Sequence, residues 1–181
     1  MDVNALLANP SIHANGLYNL DEGEYAATLT TLAEWGDAKA QHNLAAMYLE
    51  GVELPLDYEA AFQWHFLSAE QGYAPAQHDL GTLYLEGLGV AADPAMAATW
   101  FLAAARQNDP KAQNNLGILY ATGDGVEQNL IQARAWFLLA ARGGEVDALE
   151  NLLLSAEEMD AESLVQADLL AEEWAAEMQA T

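Results

Sequence analysis

The chain has 181 residues, of which 28 are acidic and only 5 are basic, so its formal net charge at pH 7 is −23. A protein that follows a phosphate backbone needs clustered Lys and Arg, so nucleic acid is excluded as an expected partner, and the same reasoning excludes docking on an anionic membrane surface. The chain has no Cys, which excludes disulfides, thiol catalysis and thiolate metal sites.

The distribution of charge and hydropathy argues against a targeting signal or a membrane span. The first basic residue is Lys39, so the residues before it lack the positive segment with which a signal peptide begins. The longest nearly apolar stretch, residues 94–105, is too short to span a bilayer. Apolar residue types make up 52% of the chain, which is enough for a packed core. We therefore expect a folded, cytoplasmic protein.

In chain order, the first predicted element is a half repeat. Asp21 and Glu24 have the spacing of a capping box, which predicts a helix that begins there. Residues 1–20 contain a Pro and an Asn-Gly pair, so residues 3–8 form at most a short, degenerate helix. We expect residues 1–36 to form an N-terminal cap and half repeat.

An interval of 36 residues then recurs through the chain. The pair Ala-Gln marks three successive units, and ladders of Leu, Tyr, Gly and Trp keep the same interval without insertion or deletion. These ladders are Ala40, Ala76 and Ala112; Leu44, Leu80, Leu116 and Leu152; Tyr48, Tyr84 and Tyr120; Gly51, Gly87 and Gly123; and Trp64, Trp100 and Trp136. A fixed period of this length is typical of solenoids. We expect three full repeats, at 37–72, 73–108 and 109–144.

Each full repeat is predicted to contain two helices. In the first helix, apolar or small residues such as Ala40, Leu44 and Met47 fall on one face. A Gly-containing turn ends this helix, because the position after the last helical turn often has positive φ, and an Asp or Asn then caps the second helix. The predicted first helices are 38–50, 74–86 and 110–122, and the predicted second helices are about 58–70, 94–106 and 130–142, capped by Asp57, Asp93 and Asn129.

Two glycines lie in the middle of predicted first helices. Gly81 and Gly117 each cost about 1 kcal/mol relative to Ala in a helix interior. That cost is tolerable if another helix must approach closely at these positions. Because one helix pair cannot bury its own apolar face, we expect the pairs to stack and share one continuous core.

The C-terminal segment, residues 145–181, is predicted to be a degenerate repeat followed by a capping helix. The repeat interval persists in a first helix at about 146–158, but the Gly turn is missing. Asp160 is a suitable N-cap for a last helix over about 161–179. The apolar stripe of that helix is Leu164, Ala167, Ala171, Trp174 and Met178. Residues 1–181 are thus expected to form a single repeat domain.

The repeated pattern, A-Q-x-N-L-G-x-L-Y-x-x-G-x-G-V followed by D/N and A-x-x-W-F-L-x-A-A, resembles the Sel-1-like repeat family. Residues 112–142 match it best, whereas the first full repeat departs from it, with Ala45 at the helix Gly and Glu53 at the second Gly of the turn. The resemblance implies an all-α fold, a right-handed α/α superhelical solenoid of tetratricopeptide-like helix pairs with a 36-residue period.

Histidine is the residue type that most suggests a metal. His42 and His78 hold the same repeat position, but adjacent repeats are about 10 Å apart, which is too far for two such side chains to share one ion. His65 replaces Phe101 and Phe137 in an aromatic ladder, which favours a role in the core. We expect no metal site and no cofactor.

The sequence predicts no enzyme. Acid–base catalysis requires two carboxylates in different environments, and nothing distinguishes one pair among the 28 acidic residues. No Ser, His and Asp form an evident nucleophilic grouping. The Gly-rich segments follow helices and lack the Lys of a phosphate-binding loop.

The resemblance implies that the first helices line a concave face that holds another protein or a peptide. The expected function is a non-enzymatic adaptor or scaffold for protein–protein interaction. The predicted contact residues are polar side chains on these helices, and their carboxylates favour a basic partner: His42, Glu50, His78, Glu86, Asn114 and Glu158.

Two interpretations of the acidic surface remain open. It keeps the chain soluble, or it steers the chain toward a basic partner. An alternative function uses the same chemistry: an inhibitor or immunity protein that neutralises a basic toxin or enzyme by tight one-to-one binding.

Overall fold

The structure, a computed structural model, describes residues 22–180. Within that range the chain forms nine helices and no strand. They are α1 (Glu22–Glu34), α2 (Ala38–Glu50), α3 (Tyr58–Glu70), α4 (Ala74–Glu86), α5 (Pro94–Ala105), α6 (Pro110–Thr122), α7 (Leu130–Arg142), α8 (Asp147–Glu157) and α9 (Ala161–Gln179). The predicted all-α fold is confirmed. The predicted degenerate helix at 3–8 and the cap at Asp21 lie outside the described residues.

The residues that the sequence predicts as helix caps do cap the helices. The side chain of Asp57 accepts a hydrogen bond from the backbone N–H of Ala60 at the start of α3, and Asp93 and Asn129 do the same for α5 and α7. The glycines after α2, α4 and α6 have positive φ, as a left-handed C-cap requires. Glu53 keeps the same left-handed backbone (φ 63°) although it is not Gly.

The helices pack in the order of a solenoid. Each first helix packs against the second helix of its own repeat, and each second helix packs against the next first helix. Gly81 lies against Phe101, where an added Cβ would be 2.6 Å from the ring carbon Cε1, and Gly117 lies against Phe137 in the same way. The prediction of a close approach at both glycines is therefore confirmed.

Buried Gln side chains join successive repeats. The side chain of Gln77 donates to the carbonyl of Ala69 in the preceding second helix (3.1 Å) and accepts from Gln107 at the end of its own second helix (2.7 Å). Gln41 makes the equivalent pair of bonds. The Ala-Gln ladder seen in the sequence is thus a set of buried hydrogen bonds that hold the stack together.

The last helix departs from the repeat. The main contact of α9 is with α7 rather than with α8, and the rings of Trp136 and Trp174 stack with centroids 4.3 Å apart. The predicted apolar stripe does face the protein, since Ala167 and Ala171 are fully buried. As a result α8 leaves part of its surface uncovered, and Leu153 is 72% exposed.

Candidate functional site

An open cavity of about 490 Å³ lies where successive first helices begin. The elements that line it are α2, the first two turns of α4, the start of α6 and the segment before α8. The polar side chains on its wall are His42, His78, Asp79, Asp109, Lys111 and Glu145. This cavity contains two of the predicted contact residues, His42 and His78.

Asp79 is the centre of a cluster of three histidines. Its Oδ1 atom is 2.9 Å from Nδ1 of His78. Its Oδ2 atom is 3.5 Å from Nδ1 of His42 and 3.9 Å from Nε2 of His65. One carboxylate on α4 therefore faces one histidine from α2, one from α3 and its own neighbour in sequence.

The orientation of the carboxylate is set by a short chain of hydrogen bonds. The side-chain amide of Asn115 on α6 is 3.3 Å from Nε2 of His78. Because an amide N–H can only donate, Nε2 of His78 accepts, and its protonated Nδ1 donates to Oδ1 of Asp79. This assignment leaves Oδ2 of Asp79 directed at His42 and His65.

Both of those histidines have buried ring nitrogens without a hydrogen bond. His65 is completely buried, and neither of its ring nitrogens has a hydrogen-bond partner among the described residues. Nδ1 of His42 is also buried and unpaired within the same range. Buried polar atoms are almost always satisfied in proteins, so three such atoms in one place call for an explanation.

Burial has the largest effect on the ionisation of this cluster. It lowers the pKa of His65 to about 4, although the charge of Asp79 acts in the opposite direction, and it also lowers the pKa of His42. Burial by itself raises the pKa of Asp79, but the hydrogen bond from His78 and the attraction of the three imidazoles outweigh it, so its pKa lies below the usual value. At pH 7 the carboxylate of Asp79 therefore faces two neutral imidazoles.

Asp79 is not among the residues predicted from the sequence, although its repeat position carries a signal. Asp79 occupies a ladder position that is otherwise Asn43, Asn115 and Asn151, and His65 is the single departure from an aromatic ladder. The repeat spacing also predicts that His42 and His78 are too far apart to share an ion, and Glu50 and Glu86 are the carboxylates it suggests beside them, whereas the structure places Asp79 against both histidines. Departures from the repeat pattern, rather than the pattern itself, indicated this site.

The structure does not bring the other four predicted contact residues into this cluster. Glu50 and Glu86 end α2 and α4, about 12 Å along the helix from His42 and His78, and both are exposed. Glu158 is exposed at the end of α8. Asn114 is only 6% exposed, and its side-chain oxygen accepts from Asn151 (2.9 Å). Their role as partner contacts stays a prediction.

Taken together, the stacked helix pairs define an α/α solenoid. The Sel1 repeat model matches residues 38–73, 74–109 and 110–145. The chain therefore belongs to the Sel1 repeat family, whose members are protein-interaction modules, and the resemblance stated from the sequence is confirmed.

Solved structures of similar proteins share this fold. A protective antigen present in uropathogenic Escherichia coli strains, which displays an SLR fold, is 36% identical with a TM-score of 0.78, over 83% of this chain and 32% of that one. A Sel1 repeat protein from Oxalobacter formigenes is 29% identical (TM-score 0.64, 75% of this chain and 59% of that one). Cysteine rich protein B of Helicobacter pylori is 28% identical (TM-score 0.56, 70% and 96%).

The chain thus spans about a third of the length of the Escherichia coli antigen that it resembles. No curated protein matches the sequence. Among residues 22–180, no helix has the length and apolar character needed to cross a bilayer.

Proposed function

We propose that this chain is a non-enzymatic adaptor that binds a basic peptide or protein along its first helices, on the concave face predicted from the sequence. Glu50, Glu86 and Glu158 carry this proposal, because they hold the same position in three repeats and are all exposed. They form a row of carboxylates at this repeat position, which Thr122 interrupts in the third full repeat. A partner with Lys or Arg side chains at a matching interval would pair with that row.

The position of these carboxylates supports a binding role. A negative charge in the last turn of a helix lies beside the negative end of the helix dipole, which costs about 0.3–1 kcal/mol. The last turns of α2 and α4 contain no basic residue to offset it. Binding of a cationic side chain would remove this cost.

Exposed apolar side chains on the last two first helices, α6 and α8, extend the proposed contact. Ile118 and Leu154 are 39% and 55% exposed, and they hold equivalent positions in successive repeats. Leu154 lies four residues before Glu158. Residues four apart share one helical face. The partner that fits this surface therefore combines basic with apolar side chains.

The test is affinity capture from a cytoplasmic extract with two variants of equal charge. Glu50→Lys with Glu86→Lys should abolish capture of the partner, since it reverses two charges of the row. Glu34→Lys with Glu70→Lys is the matched control, because both residues are exposed and end second helices. Mass spectrometry identifies the proteins that the wild type and the control retain.

Two results would decide against the proposal. If the first variant, with native circular dichroism, still captures the same proteins, the row of carboxylates is not the binding site. If both variants lose them equally, net charge rather than this face determines binding. A single captured enzyme that is bound one-to-one and inactivated would select the alternative of an inhibitor or immunity protein.

A further inference from the structure

We propose that His42, His65 and Asp79 form a binding site for one divalent transition-metal ion, with Zn²⁺ as the best fit. One ligand atom from each of these residues lies within 4.8 Å of the other two. The site is separate from the row of carboxylates in the proposed function, so either proposal can fail without the other.

The geometry requires only a small contraction. Zn²⁺ bonds to imidazole nitrogen and carboxylate oxygen are about 2.0–2.2 Å long, so tetrahedral ligand atoms are about 3.4 Å apart. Oδ2 of Asp79 is already 3.5 Å from Nδ1 of His42 and 3.9 Å from Nε2 of His65. The ligand nitrogens of His42 and His65 lie within 4.8 Å of each other, so side-chain movements of about an ångström would bring all three atoms to bonding distance.

The unpaired nitrogens are the independent observation that points to a ligand. His65 is completely buried, and its Nε2 atom is directed at Asp79 without a hydrogen bond among the described residues. Nδ1 of His42 is likewise a buried atom without a hydrogen bond among the described residues. A metal ion between the three side chains would engage both of these nitrogens and the free oxygen of Asp79.

The type and support of the ligands agree with this assignment. Zn²⁺ is bound by imidazole nitrogen and carboxylate oxygen, and the cluster supplies two imidazoles and one carboxylate. His78 binds the other carboxylate oxygen and is itself held by Asn115. Metal ligands are commonly oriented by such outer hydrogen bonds.

The ion would have a route to the site and a vacant coordination position. His42 and Asp79 line the open cavity of about 490 Å³ and are partly exposed, whereas His65 closes the inner side. Three protein ligands leave a fourth tetrahedral position on the cavity side for water or for a side chain of a partner.

The repeat pattern shows that these residues are not needed for packing alone. At the equivalent positions of the third repeat the chain has Asn114, Phe137 and Asn115 in place of His42, His65 and Asp79. His65 and Asp79 depart from the pattern, and they meet beside His42, whose position in the pattern is variable. The same comparison supplies substitutions that the fold already accepts.

The experiment is calorimetric titration of the full chain with ZnCl₂ after removal of metals by a chelator. We expect one tight site, and a thermal midpoint raised by about 5–10 °C at a hundredfold excess over Kd. Asp79→Asn and His42→Asn should each weaken binding by more than about 100-fold. His78→Asn, which removes only the supporting bond, should cost about 10–100-fold.

The third ligand, His65 on α3, is tested by a paired substitution. Ala45→Gly with His65→Phe converts the first repeat to the residues of the second, Gly81 and Phe101, and should also abolish tight binding. A Co²⁺-loaded wild type should show the strong visible absorption of a tetrahedral site. Mg²⁺, which prefers oxygen ligands, should produce no thermal shift when the ionic strength is held constant.

The surface acids provide the control for unspecific binding. Glu34→Lys with Glu70→Lys should leave Zn²⁺ affinity unchanged, because neither residue belongs to the cluster. Absence of a tight site in the wild type would overturn the proposal. So would binding that survives both Asp79→Asn and the paired Ala45 and His65 substitutions in variants with native circular dichroism.

Discussion

At the scale of single residues, Ala45 and His65 in the first repeat correspond to Gly81 and Phe101 in the second. A Cβ added to Gly81 would lie 2.6 Å from the ring of Phe101, so the larger ring requires Gly. In the first repeat a methyl group is present and the ring is the smaller imidazole. We therefore expect the two positions to compensate one another. The exchange of Phe for His also introduces a buried polar ring.

A double-mutant cycle measures this compensation. Ala45→Gly alone should destabilise the fold by about 1 kcal/mol, because Gly is a poor helix former. In the background of His65→Phe the same change should cost less or stabilise, since it relieves overpacking, with a coupling free energy of about 0.5–3 kcal/mol. Urea denaturation of the four proteins provides the values. Additive effects would show that the two side chains do not compete for space.

At the scale of elements, α9 is the helix that leaves the repeat. Gly81 and Gly117 allow a second helix to approach closely, but the equivalent residue in α8 is Leu153. A Leu side chain at this position prevents the close approach that Gly allows, and Leu153 is 72% exposed. The last helix instead packs on α7, through the stacked rings of Trp136 and Trp174 and an ion pair of Arg142 with Glu172 (2.6 Å).

The two contacts of α9 should differ in their contribution to stability. Trp174→Ala should lower the free energy of unfolding by about 2 kcal/mol, because it removes an aromatic pair together with buried apolar area. Glu172→Ala breaks an exposed ion pair and should cost at most about 1 kcal/mol. Chemical denaturation compares the two. Equal losses would mean that the stacked rings do not hold α9 in place.

At the scale of the whole molecule, charge opposes folding. A net charge of −23 on 181 residues produces self-repulsion in the compact state. Few basic side chains offset this repulsion. Among the described residues, Arg134 lies 3.7 Å from Asp168, and Arg142 pairs with Glu172. The same charge keeps the chain soluble and would accelerate its encounter with a basic partner.

Salt should therefore stabilise the protein. Raising NaCl from about 0.01 M to about 0.15 M shortens the Debye length from about 30 Å to about 8 Å, which screens repulsion among the exposed carboxylates. We expect a higher thermal midpoint at the higher salt concentration, and a smaller increase in the Glu34→Lys, Glu70→Lys variant. A midpoint that is independent of salt would show that the acidic surface imposes no stability cost.

The sequence determined the helices, their caps and the repeat, because each depends on residues that are close in the chain. The Asp at position 57 accepts from an N–H three residues away, and the apolar face of a helix is defined by spacings of three and four. A 36-residue period then fixes the solenoid, since each repeat buries its apolar face against the next.

Only the tertiary structure decided which polar side chains meet. Asp79 faces a histidine one repeat earlier on α2 and another on α3, and such contacts depend on how the helices stack, not on any local preference. The docking of α9 on α7 was also not readable from its own apolar stripe, which fits any helix with a complementary surface. The chain encodes its elements locally, whereas the histidine cluster exists only because the stacking of repeats brings distant positions to one point.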